Sequence, residues 1–478
     1  MASSEAPAAA LPPVREPLSP VDLAWLRMDH PANLMQINGV LVLEQPVSLA
    51  RIRALVERRL LPIRRFHQRV VERRGKRFWE EDPGFDLAYH VQAQRLPEPA
   101  GDAELQKAIG ALMSGELDHD RPLWDFRLIE NYRGGSVLYC RLHHSIGDGV
   151  ALMLVLLSLA DLTPTGPPVA RTSEEQLEEH ENAFSELFRH PLKGVQSARA
   201  LAEEVMPDTL RLMLHPVEGL RKVNRLAKSV GFVGALGRLV ARSNDPHTAL
   251  KGSLVVEKRV AWSDNLPLPE VKAVGKALGG TINDVLMTAV AGGLRRYLLR
   301  HGGTPDDLSV RAAMPVNLRP LEEMANLGNR FGLVFLALPL GIADPLERLA
   351  QLRRDSAQLR RSLEPVVIYA LLKFVGMSPL LVQQAALKIF GAKATAVMTN
   401  VPGPRNPIYL GGTKVRDIFF WVPQAAKLGL GVAIFSYAGN ARLGIGVDAG
   451  LVPDPDDIVR GFHEEWNELR RLAGLATS

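Results

Sequence analysis

The run Leu138-Tyr139-Cys140-Arg141-Leu142-His143-His144-Ser145-Ile146-Gly147-Asp148-Gly149, with the apolar segment Val150 to Ala160 behind it, constrains the fold more than any other part of the chain. A β-type stretch ends in two histidines, an Asp-Gly turn follows, and the next segment has the length and character of a core helix. Side chains alternate faces along a strand. His144 is therefore expected on the face of Leu138, Cys140 and Leu142, and His143 on the face of Tyr139 and Arg141. Adjacent histidines that point apart are poorly placed to ligate one metal, and no metal site is expected. An imidazole at the end of an apolar face, beside a carboxylate turn, suits a general base. The alternative is a core histidine whose hydrogen bonds are satisfied.

At 478 residues the chain is too long for one ordinary core, so two domains are expected. Its single cysteine can form no internal disulfide, which fits a reducing, cytoplasmic setting. Cys140 can be read as a nucleophile, but it shares the expected face of His144, and packing is the better reading. Met1 to Pro17 is rich in Ala, Pro and Ser and lacks the layout of a signal peptide, so residues 1–17 read as a disordered tail. No apolar run is long enough to span a bilayer, and a soluble or peripheral protein is expected. With 57 Lys and Arg against 52 Asp and Glu, the net charge of +5 points to no nucleic-acid partner.

Strands mixed with helices predict an α/β domain over 18–162. Ser19 is placed to cap a helix from Pro20, Gly39–Leu43 reads as a strand, and Leu49–Leu60 as an amphipathic helix. Phe78-Trp79 and Tyr89-His90-Val91 read as short strands. Ala103–Ser114 reads as a helix, Ser136–His143 as a strand and Gly149–Leu162 as a helix. The breaker cluster from Thr163 to Pro168 opens a charged, helical connector, 163–251. Within it Arg221, Lys222, Arg225 and Lys228 alternate with apolar positions, the pattern of an interfacial helix or of one packed on the domains. A second α/β domain, 252–478, starts with a strand at Ser253–Val256. It includes a helix over Ile282–Leu299, strands near Val310–Ala313, Leu333–Leu338 and Ala394–Thr399, a hairpin of Val432–Tyr437 and Arg442–Val447, and a final helix, Asp456–Leu472.

Several residues carry two readings each. Ser145 invites a nucleophile reading but lacks the G-x-S-x-G elbow. Asp148 is placed to orient the His144 imidazole as a triad carboxylate would, or to hold the turn. Gly149 is expected to permit close packing where the turn enters the helix. Asn283 either caps a helix after Gly279-Gly280-Thr281 or donates to a developing oxyanion; Asp284 suits the helix N-terminus. Thr399-Asn400, before Pro402-Gly403-Pro404, either terminates a strand or borders a substrate channel. Pro122-Leu123-Trp124 is either core and turn or channel wall.

His143 to Gly149 matches the HHxxxDG motif of the CoA-dependent acyltransferase superfamily. Arg121-Pro122-Leu123-Trp124, Asn283-Asp284-Val285-Leu286, Met314-Pro315-Val316-Asn317-Leu318-Arg319, Gly328-Asn329 and Asn400-Val401-Pro402-Gly403-Pro404 follow in the order of one branch. The chain thus resembles the bacterial wax ester synthase/diacylglycerol acyltransferases from about Leu18 to about Leu472. It departs from them at Leu34-Met35-Gln36-Ile37-Asn38, where many members read Pro-Met-His-Val-Gly. The resemblance implies two chloramphenicol-acetyltransferase-like domains with the active site at their interface. It implies an acyl-CoA-dependent O-acyltransferase, with His144 as base, His143 supporting it, and Asp148 pairing with an arginine. Acyl-CoA is then a co-substrate, with no separate cofactor, and the acceptor is diacylglycerol or a long-chain alcohol. It also implies work at a membrane or lipid-droplet surface, peripherally on the cytoplasmic side. A condensation-type acyltransferase using carrier-protein thioesters, and an inactive lipid-surface binding protein of the same fold, are the alternatives.

Overall fold

The strand Gly135–His143 is buried at every position, because it lies inside a sheet covered on both faces. It pairs antiparallel with Gln36–Leu43 on one side and Trp124–Tyr132 on the other, so that Leu142 sits between Ile37 and Trp124. In this computed structural model, which describes residues 15–164, 241–318, 327, 329–360, 364–424 and 428–475, that sheet has six strands. Their order is Tyr409–Leu410, Thr413–Trp421, Gln36–Leu43, Gly135–His143, Trp124–Tyr132 and Val91–Arg95. The alternation expected along the histidine strand is observed. Leu138, Cys140 and Leu142 enter one core with the helix Gly149–Ser158, and Val137 and Tyr139 enter another with Trp262, Phe419 and Trp421. Gly39 has no Cβ where Leu156 of that helix comes down on the sheet.

A second sheet is built from the later half. Phe331–Leu338, Val310–Asn317, Ala396–Pro402, Leu430–Tyr437, Asn440–Asp448 and Lys258–Trp262 run side by side, and Leu266–Pro267 pairs beside Asn440–Asp448. The helix Ile282–Arg300 packs on the final helix, Pro455–Leu472, through Gly292 and Gly293, which leave room for Glu465 and Phe462. A small third sheet joins Glu16–Pro17, Lys76–Glu81 and Gln68–Arg73.

The two halves are not separate in sequence. Thr413–Trp421, expected in the second domain, leaves its neighbours and pairs with Gln36–Leu43, bringing Trp421 opposite Asn38 and Phe419 opposite Val40. Other expectations need smaller corrections. Tyr89-His90 is not a strand: Asp86 Oδ1 accepts the Ala88 N–H and starts a helical turn, Leu87–His90, and the strand begins at Val91. Ser253–Val256 is irregular, with the Val255 N–H given to Asp448 Oδ2, and the strand begins at Lys258. The helix after the histidine motif stops at Ser158, short of Leu162. The hairpin turns on Ala438 and Gly439, both at positive φ (47° and 82°), and its second strand starts at Asn440, ahead of the expected Arg442. The basic connector residues Arg221, Lys222, Arg225 and Lys228 lie outside the described residues.

Candidate active site

His144 is not the last residue of the strand but the first beyond it. Its backbone N–H bonds to Met35 O, and the Ile146 N–H returns to His143 O, which closes a turn. The imidazole is enclosed by rings from two parts of the chain. Trp25 of the helix Pro20–Met28 stacks on it at 4.1 Å and 18°, and Phe331 of the second half lies at 5.5 Å. Burial among these rings penalises the charged form and pushes the His144 pKa down to about 4. Near neutral pH the ring is therefore an unprotonated base.

Its tautomer is set by Asn329. His144 Nδ1 lies 2.9 Å from Asn329 Oδ1, while Asn329 Nδ2 donates to Asp22 Oδ1 and to the carbonyl of His144 itself, each at 2.8 Å. Turning the amide over would set an oxygen against a carboxylate and a carbonyl at once. Asn329 thus presents its oxygen to Nδ1, Nδ1 carries the proton, and Nε2 keeps the lone pair. Asp22 is held on its own side by Ser19, whose Oγ also caps the helix; burial raises the Asp22 pKa. The chain Asp22–Asn329–His144 does what a triad carboxylate would do, and it takes the nitrogen that Asp148 would need for that role. Asp148 instead holds the turn. Its Oδ1 accepts the Ala151 N–H as helix cap, and its Oδ2 accepts the Arg330 backbone N–H at 3.2 Å.

His143 is fully buried on the other face and has the opposite tautomer. Its Nδ1 accepts the Ser145 N–H at 3.1 Å, so the proton sits on Nε2, 3.4 Å from Asp29 Oδ2. Burial alone would raise the Asp29 pKa, but hydrogen bonds from His119 and His143 outweigh it and hold the carboxyl well below its usual value. Ser145, His143 and Asp29 have the composition of a triad, yet the Ser145 hydroxyl is buried and bonded to His143 Nδ1. The nucleophile reading of Ser145 therefore finds no open path. Cys140 is buried as well, and burial raises its thiol pKa, in keeping with packing.

Gly149 departs from its expected role, since nothing lies within 4 Å of the place a Cβ would occupy. The space at this first helical position is open, not tightly packed. Pro122-Leu123-Trp124 goes to the core. The Trp124 indole N–H bonds to Phe66 O at 2.8 Å, its ring stacks on His90 at 4.6 Å, and Leu123 O accepts the His143 N–H. Trp124 therefore packs and holds the histidine strand, and its channel role is not what the geometry supports.

Asn283 and Asn400 come together. Asn283 Oδ1 accepts from Asn400 Nδ2 at 2.9 Å, which leaves the Asn283 Nδ2 protons for another acceptor. Asn283 is not the helix cap. Thr281 is, with Asp284 Oδ2 answering in a capping box. Nor do Thr399 and Asn400 terminate a strand, which continues to Pro402. Asn329, Asp22, Trp25 and Phe331 are absent from the sequence-based candidates. Gly328-Asn329 is a visible motif, but only the fold brings it to His144; Gly328 lies outside the described residues. Among the described residues no group of three or more His, Cys, Asp or Glu side chains is placed to hold a metal ion.

Known proteins resemble the chain along most of its length. Residues 18–286 match the family model for the wax ester synthase/diacylglycerol acyltransferase catalytic domain, and residues 327–470 match that for the WS/DGAT C-terminal domain. A Mycobacterium tuberculosis protein named as a diacylglycerol O-acyltransferase is 31% identical over 405 residues, 83% of this chain and 82% of its own length. A second from that organism, also so named, is 27% identical over 447 residues, 90% of each chain. Among solved structures, the wax ester synthase/diacylglycerol acyltransferase of Marinobacter aquaeolei VT8 has the same fold, with a TM-score of 0.67, 21% identity, and coverage of 96% of this chain and 100% of that one. The first condensation domain of the calcium-dependent antibiotic synthetase aligns with a TM-score of 0.56 at 14% identity, over 96% of each chain.

Proposed function

Because the chain belongs to the wax ester synthase/diacylglycerol acyltransferase family and is an acyltransferase, we propose that it carries a long acyl group from acyl-CoA to a lipid alcohol. The acceptor is diacylglycerol, giving triacylglycerol, or a long-chain alcohol, giving a wax ester. The observation that carries this reading is the buried, neutral His144 with Nδ1 held by Asn329 and Nε2 left basic.

An alcohol is a weak nucleophile near neutral pH. His144 Nε2 takes its proton as the oxygen attacks the thioester carbonyl. The new C–O bond leaves a tetrahedral oxyanion, which collapses by breaking the C–S bond. The CoA thiolate leaves and receives the proton from His144. Nδ1–H bonded to Asn329 stabilises the imidazolium between the two steps, with the Asp22 carboxylate behind the amide. An amide donor such as Asn283 Nδ2 suits the oxyanion. Asn400 positions Asn283, and Asp148 and His143 hold the turn that carries the base.

The substrates are too apolar to exchange freely through water, so the enzyme works peripherally at a lipid surface facing the cytoplasm. Incubating purified protein with palmitoyl-CoA and separate alcohol acceptors, then identifying the esters by mass spectrometry, tests the reading. Esters of diacylglycerol or a long-chain alcohol are expected. Turnover only with an acyl group on a carrier protein would favour condensation-type chemistry instead, and lipid binding without any ester would mean an inactive fold.

A further inference from the structure

The helices Glu364–Met377 and Leu380–Ala392 form a hairpin that carries six of the twelve large apolar side chains exposed among the described residues. They are Phe374, Met377, Leu380, Leu381, Val382 and Ile389, with Leu381 80% exposed and Phe374 59%. Scattered exposed apolar residues need no explanation, but a contiguous cluster does. Neither helix is long and apolar enough to cross a membrane.

Two features indicate what covers this face. The first is charge. From Pro365 to Lys393 the sequence holds no Asp or Glu, while Lys373 and Lys388 are exposed at the margins of the apolar cluster. An apolar face rimmed by cations complements an anionic lipid surface. The second is position. The first helix reaches inward to the site: Tyr369 belongs to the same small core as Trp25, Met35 and Phe331, and the Trp25 and Phe331 rings enclose His144. Gly376 lets the helix close on Pro20, the first residue of the helix that carries Asp22 and Trp25. From Tyr369 to Met377 the helix rises only about 12 Å. One helix therefore runs from the wall of the catalytic cluster to the exposed apolar tip.

We infer that this hairpin is the lipid-docking surface, inserting its tip among the acyl chains of an anionic lipid surface close to the His144 site. Its purpose rests on the acyltransferase reading proposed above, because docking here lets an apolar acceptor pass to the base without crossing water.

The test compares the full-length protein with the double variant Phe374→Glu, Leu381→Glu, both at exposed positions. Flotation is measured with phosphatidylcholine vesicles with and without phosphatidylglycerol. Ester formation is measured with a short, water-soluble alcohol and with diacylglycerol carried in the vesicles. The wild type should float, more so with the anionic lipid, and the variant's partitioning should fall about tenfold or more. Its activity on the soluble alcohol should be unchanged, and its activity on vesicle-borne diacylglycerol should drop in parallel with binding. Hydrogen exchange across 372–390 should slow in the wild type when vesicles are added. A variant that floats like wild type, or a wild type that floats on neither vesicle, overturns the inference. So does a wild-type dimer that the variant converts to monomer, or a hairpin already protected before vesicles are added, since a second copy or the chain itself would then cover the face. Loss of all ester formation with flotation intact would instead count against the acyltransferase reading alone.

Discussion

At the scale of single residues, the site depends on which nitrogen holds a proton. His144→Ala should lower turnover by roughly 10²–10⁴-fold, the usual contribution of a general base, and should leave the fold intact because the ring lies past the strand end. Steady-state rates on a soluble alcohol, with circular dichroism as the folding control, check this. His143→Ala should cost less activity, since its Nε2 lies beside the Asp29 carboxylate and not beside a reacting atom. The reverse order of the two effects would show that the wrong imidazole has been assigned as base. Asn329 is a positioning residue, and a structural role alone would not move the readout that identifies it. Asn329→Asp places a carboxylate beside Nδ1 and its second oxygen against Asp22, whose already raised pKa makes Asp22 the one to take up a proton; the charge beside Nδ1 favours the charged ring. The acid limb of the kcat/KM profile should move upward in pH, while the maximal rate falls less than in Asn329→Ala. An acid limb that stays in place would mean that Asn329 does not set the base. His144, His143 and Asp148 could be found from sequence because the motif compresses them into a few residues. Asn329, Asp22 and Trp25 could not, because their roles arise from contacts far apart along the chain.

At the scale of elements, legibility followed whether a segment's partner was local. The Ser19 cap, the helix Leu49–Arg59 and the hairpin ending at Asp448 all carry their own signals, and all form close to where the pattern places them. Thr413–Trp421 buries Thr413, Val415, Asp417, Phe419 and Trp421 in alternation, a period its sequence hides, since Asp417 lies on the buried face and Ile418 and Phe420 on the other. Nothing in that alternation says which sheet it joins. It finds its place because Gln36–Leu43 otherwise presents an open edge. Close approach between elements is similarly invisible in composition. Gly110, in the helix Asp102–Met113, would place a Cβ 2.6 Å from Lys258 O, a backbone atom that a rotamer change cannot move. Gly110→Val should therefore destabilise the protein by about 1–3 kcal/mol, the ordinary cost of overpacking. A lowered urea midpoint measures this. An unchanged midpoint would mean that the helix shifts freely against Lys258–Trp262.

At the scale of the whole molecule, one buried base links catalysis to stability. His144 is drawn into the site by Trp25 from the start of the chain and by Asn329 and Phe331 from its second half, so unfolding exposes it to water. An unfolded histidine titrates near 6.5, and this one near 4 in the folded protein. Between those values the unfolded chain binds a proton that the native state refuses, and stability rises with pH. The contribution is complete above about 6.5 and is lost as pH falls toward 4. Asp29, whose carboxyl is held low, adds acid lability of the same sign at still lower pH, while the raised pKa of His119, driven by its hydrogen bond to Asp29, works against both. Comparing wild type with His144→Gln removes the shared background. The wild type should lose about 2 kcal/mol more than the variant between pH 7 and pH 5, read from urea unfolding at each pH. The same low pKa predicts that kcat/KM changes little from pH 6 to 8 and falls only on approaching about 4. Equal acid sensitivity in the two proteins, with a catalytic limb near 6.5, would show His144 to be solvated, and the enclosure by Trp25, Asn329 and Phe331 would not describe the working enzyme.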